Sequence, residues 1–63
     1  MDDKTKLANL REEWDVIEHS NQMYLDRQAP SEAATAEYRQ RLERLVQVRQ
    51  DMKDLAKAIA AQD

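Results

Sequence analysis

Large apolar side chains recur early in the chain at Leu7, Leu10, Trp14, Ile17 and Tyr24, with Asn21 in the slot between the last two. Steps of three and four residues mark a helix that buries one stripe in a coiled-coil-like seam. Good helix formers surround the stripe and no Gly or Pro interrupts it. Asp2 or Asp3 suits the cap and the positive end of the helix dipole. The pattern predicts a first helix over about 3–27. Arg27-Gln28-Ala29-Pro30-Ser31 is the only break. Pro30 cannot continue a helix and drives Ala29 into an extended conformation, while Ser31 is a ready N-cap. A turn over 28–31 and a second helix over about 32–61 follow. The stripe of that helix reads Tyr38, Leu42, Leu45, Val48, Met52, Leu55 and Ile59, and it slips once near Val48.

Long helices joined by a short turn form an antiparallel hairpin. The predicted fold class is therefore all-α: an antiparallel two-helix hairpin, residues 1–63 making one domain. Folding at 29–30 sets Asn21 opposite Tyr38, Ile17 opposite Leu42, Trp14 opposite Leu45 and Leu7 opposite Met52. Glu18 then faces Arg41, and Leu55 and Ile59 run past the start of helix 1 without a large partner. A chain this short has little core to bury, and it lacks the disulfide or metal that usually reinforces small domains. More apolar surface from another chain is the remaining stabiliser. Dimerisation of the hairpin into a four-helix bundle is the expected answer, and closed two-fold symmetry the default.

Composition narrows the setting. The chain has no Cys, no Gly and no Phe, and 37% of it is charged. Without cysteine there is neither a disulfide framework nor a thiolate metal site. No apolar run approaches the length of a membrane span, and no signal-peptide core follows Met1. A cytoplasmic setting is expected. The net charge of −3 lies wholly in residues 1–28, and residues 29–63 balance. Neither half is basic, which counts against a strong nucleic-acid binder.

Individual residues sharpen this only in part. Trp14, the sole Trp, belongs to the core by its place on the stripe, although Trp also anchors interfaces. His19, the sole His, has only Asp15, Glu12 and Met23 near its face, too few for a metal, and pairs with Asp15 instead. Asn21 either fixes register and oligomer state across the seam or marks a wet end beside the loop. Val16 and Met23 stand seven residues apart on an acidic face away from the seam. Together with Leu55, Ile59 and Asn21 they are the candidate contacts with a partner. Arg39, Arg49, Lys53 and Lys57, with Val46 among them, make a basic flank on helix 2 that would serve an alternative nucleic-acid-binding role. Acids at Glu32, Glu43 and Asp54 border that flank and no aromatic interleaves it. Catalysis finds no support: there is no Gly-rich phosphate loop, no Cys nucleophile and no sign of a pocket to shift a carboxyl.

Two stretches resemble known families. Leu7-x-x-Leu10-Arg11-Glu12-Glu13-x-Asp15-x-Ile17, with Arg27 beyond, is similar to the opening helix of the all-helical chorismate mutases. That resemblance implies arginines at 11 and 27 gripping substrate carboxylates. The chain lacks the lysine expected after the second arginine and the length for the third helix. Pro30-Ser31-Glu32, Tyr38, Leu42 and Met52-Lys53-Asp54-Leu55 resemble type III secretion needle subunits, helical hairpins with a proline turn. Here the chain is about one heptad short between the motifs, so the resemblance implies only a self-assembling or secretion-associated alternative. Neither assigns the chain to a family. The expected function is a small non-enzymatic interaction module, an adaptor, regulator or assembly factor. Its expected partner is a second copy or another helical protein, with nucleic acid disfavoured and no cofactor, metal, membrane or small-molecule substrate.

Overall fold

The structure, a computed structural model, describes residues 2–62. Two helices, α1 (Asp3–Leu25) and α2 (Glu32–Ala61), fold back on each other as a hairpin. The rod measures 50 × 16 × 15 Å.

Each start is capped as its sequence requires. The Asp2 carboxylate accepts from Thr5 N–H at 2.7 Å, and Ser31 Oγ accepts from Ala34 N–H at 3.1 Å. Helix α1 ends two residues before the expected boundary. Asp26 is its C-cap, with its N–H directed to Gln22 and Tyr24 carbonyls, and the chain then turns ahead of Pro30. The turn is braced by a small polar and aromatic group. Thr35 Oγ1 donates to the Ser31 carbonyl at 3.0 Å and lies 2.9 Å from Tyr24 OH. A hydroxyl has one proton to give, so Tyr24 is the donor to Thr35. Tyr24 also stacks on Tyr38, with ring centroids 4.3 Å apart and planes 14° from parallel.

The register differs from the expected one by three residues, close to one helical turn. Arg41, not Tyr38, meets Asn21: its Nε donates to Asn21 Oδ1 at 2.7 Å. Carried along both helices, that pairing sets Ile17 level with Leu45, Trp14 with Val48, Leu10 with Met52 and Leu7 with Leu55. Helix α2 therefore presents positions 38, 41, 45, 48, 52, 55 and 59, an unbroken alternation of three and four. The expected slip near Val48 does not exist, and Val48 is fully buried. Leu42, expected in the core, is 41% exposed. The physical reason is geometric. An uninterrupted heptad keeps the seam straight over the whole of α2, and an arginine stem occupies a half-buried position while its head finds an acceptor. Glu18, the partner expected for Arg41, is exposed.

The same shift removes the expected overhang. The end of α2 reaches the start of α1, where Gln62 Nε2 donates to Asp3 Oδ2 at 3.1 Å. Leu55 and Ile59 are accordingly half-buried. Among the described residues, the buried side chains are Ile17, Val48 and Asn21. Leu7, Leu10, Trp14, Leu45 and Met52 stay partly open to solvent, because a two-helix sandwich covers each seam residue from one side only.

Candidate interaction surfaces

A hairpin has two open flanks, and they differ in chemistry. On the first, Leu7, Trp14, Met52 and Ala56 floor a groove of about 510 Å³ between the helices. Arg11 and Asp15 from α1 and Arg49 and Lys53 from α2 form its rim. Three cations thus face one carboxylate. A second groove, lined by Ile59 with Lys4, Ala8 and Glu12, shares Leu7, Arg11 and Asp15 with the first and continues the same flank. Towards the turn, Leu42 lies one heptad before Arg49 and Val46 one heptad before Lys53, so both stand on this side. Leu42 is 41% and Val46 71% exposed.

The second flank is mixed in sign. Leu10 and Leu55 meet in a groove edged by Lys6, Asp51 and Asp54. Nearer the turn, Met23 and Tyr24 line another with Arg27, Glu37 and Arg41. Val16 lies one heptad from Met23 and one from Asn9, which lines the Leu10 groove, and so falls between the two. Arg44 clamps Glu13 here through two hydrogen bonds, the longer at 2.9 Å from Nη2 to Oε1. The Arg44 hydrogen bond, reinforced by its charge, holds the Glu13 carboxyl below its ordinary value of 4.5 and raises Arg44 in return. The Asp2 carboxyl is also lowered, first by the Thr5 backbone hydrogen bond.

The candidate contacts are therefore divided. Val16, Met23 and Leu55 share the mixed-charge flank, whereas Ile59 opens onto the cationic one. Asn21 is only 8% exposed and bonds within the chain to Arg41. Of the basic set, Arg49 and Lys53 enter the Trp14 groove, Arg39 lies one heptad before Val46, and Lys57 stands outside the groove. The sequence alone left this flank without an aromatic; the fold brings Trp14 to it from the other helix. It also missed Leu25, which is 60% exposed. Arg11 and Arg27, paired by the chorismate mutase resemblance, line grooves on opposite flanks. His19 is exposed, and among the described residues no three His, Cys, Asp or Glu side chains gather as metal ligands. No described helix is long and apolar enough to cross a membrane.

No protein-family model matches the chain, nor does any curated protein or any solved structure.

Proposed function

We propose that the chain is a non-enzymatic protein–protein interaction module that works as a homodimer, two hairpins packing into a four-helix bundle. The observation that carries this reading is the thinness of the core. Ile17 and Val48 are the buried apolar residues among those described, while a full stripe of large side chains is only half covered. Burying such surface is worth about 25 cal/mol per Å², and a second hairpin supplies the missing cover.

The flank carrying Leu10, Val16, Met23 and Leu55 is the one suited to a second copy. An isologous contact sets a surface against itself, so the surface must hold both signs. This one does, with Lys6 beside Asp51 and Asp54 at one end and Arg27 beside Glu37 at the other. Val16 and Met23, 63% and 57% exposed, supply apolar area between them. A small, acidic, cysteine-free chain fits a cytoplasmic setting.

The test is a paired substitution, Val16→Glu with Met23→Glu, followed by sedimentation. The expected result is a halved solution mass with helicity reduced as the partner is lost. A pair variant that keeps the dimer mass places the contact on another surface.

A further inference from the structure

We infer that the groove floored by Leu7, Trp14, Met52 and Ala56 is a docking site for an acidic amphipathic helix from a different protein chain. The inference goes beyond the proposed dimer and does not require it, because it concerns the opposite flank.

The shape comes first. The groove lies between two antiparallel helices and runs on into the one lined by Ile59. In the other direction Leu42 and Val46 prolong the same side. From Ile59 to Leu42 the surface follows about 17 residues of α2, roughly 26 Å. An apolar trough of that length, open along one side, is what an incoming amphipathic helix covers with side chains at i, i+3, i+4 and i+7.

The charge selects the occupant. Along the two grooves Lys4, Arg11, Arg49 and Lys53 outnumber the carboxylates of Glu12 and Asp15, so a helix with carboxylates along its edges gains on both sides. A second copy is the wrong partner for this flank. Two-fold contact would bring two sets of these cations together, and like charges repel. Nucleic acid is disfavoured on this surface. The floor offers apolar side chains with Trp14 as its single aromatic, too few to stack a run of bases, Asp15 stands in the rim, and the chain is acidic overall.

Trp14 makes the test direct, since it is the only tryptophan and lies half-buried in the floor. The probe is a synthetic helix of about 18 residues, long enough for the trough at 1.5 Å per residue, with leucines on one side and glutamates along both edges. Its control carries lysine in place of every glutamate. Titration with the acidic peptide is expected to shift Trp14 emission to the blue and to saturate. Binding weakens as salt rises, because the rim is exposed. R49E/K53E is expected to bind roughly ten-fold more weakly or worse. If that variant loses helicity, R11E, which alters the rim from the other helix, must show the same weakening. Equal binding of the lysine peptide, or indifference to both charge reversals, overturns the inference. So does an emission shift produced by a single-stranded oligonucleotide but not by the acidic peptide. Solution mass is read in the same samples. A monomer that binds the peptide removes the dimer alone, and a dimer that ignores it removes this groove alone.

Discussion

Arg41 and Asn21 form a polar layer in the middle of the hairpin seam, and we propose that this layer selects its register. The Arg41 Nε–H reaches Asn21 Oδ1 at 2.7 Å, and Asn21 is nearly inaccessible to water. Sliding α2 by one turn, to the register that sets Asn21 against the Tyr38 ring and Arg41 beside Glu18, would break this bond. Leaving a donor of this kind unmatched costs about 1–3 kcal/mol, with the lower end fitting a half-buried arginine. Asn21→Leu is therefore expected to lower stability by about 1 kcal/mol in thermal unfolding. Adding Arg41→Leu is expected to recover the loss, because an apolar pair replaces a polar one. The same double variant, with apolar side chains at both 41 and 42, is expected to show duplicate amide signals from two registers. A single set of signals would mean that this layer does not choose the register. Glu13 acts at the same scale. Its carboxyl is lowered by Arg44, so its contribution is full above 4.5 and is lost as pH falls through the depressed value. Glu13→Gln is expected to leave a melting curve less sensitive to pH between about 5 and 3 than that of the parent chain, where this carboxyl takes up its proton.

At the level of elements, helix α2 shows which features of the fold were readable and which were not. Both helices, their caps at Asp2 and Ser31 and the reversal at Pro30 follow from local chemistry, and local chemistry is visible in a single sequence. Register is not local. Choosing the seam by apolarity selects Leu42 and forces a slip at Val48; choosing it by strict periodicity selects Arg41 and forces none. The second rule was the right one because packing rewards a continuous ridge more than it penalises one amphipathic side chain. The flank chemistry was illegible for the same reason. Arg49 and Lys53 could be placed together on α2, but their meeting with Arg11 and Trp14 depends on the register. The assignment has a simple check. Ile17→Ala is expected to cost about 2 kcal/mol, the low end for a buried large residue, whereas Leu42→Ala is expected to change the folding free energy by less than about 0.5 kcal/mol. Similar losses at both positions would restore Leu42 to the core.

The whole molecule is a rod about as thick as a pair of helices, so nearly every side chain lies close to solvent. In the function we propose, the mixed-sign side closes on a second copy, and the cationic trough stays free for an acidic helix. The adaptor role we propose would use that division, one surface for assembly and another for a client. The dimer depends on the hairpin being too thin to stand alone. Light scattering across a dilution series, with helicity followed in the same samples, tests that most directly. The account predicts a dimer mass at high concentration, and helicity that falls only as the mass does. A monomer at every concentration with full helicity would contradict it, and a mass that climbs steadily past the dimer would replace the closed bundle with an open assembly.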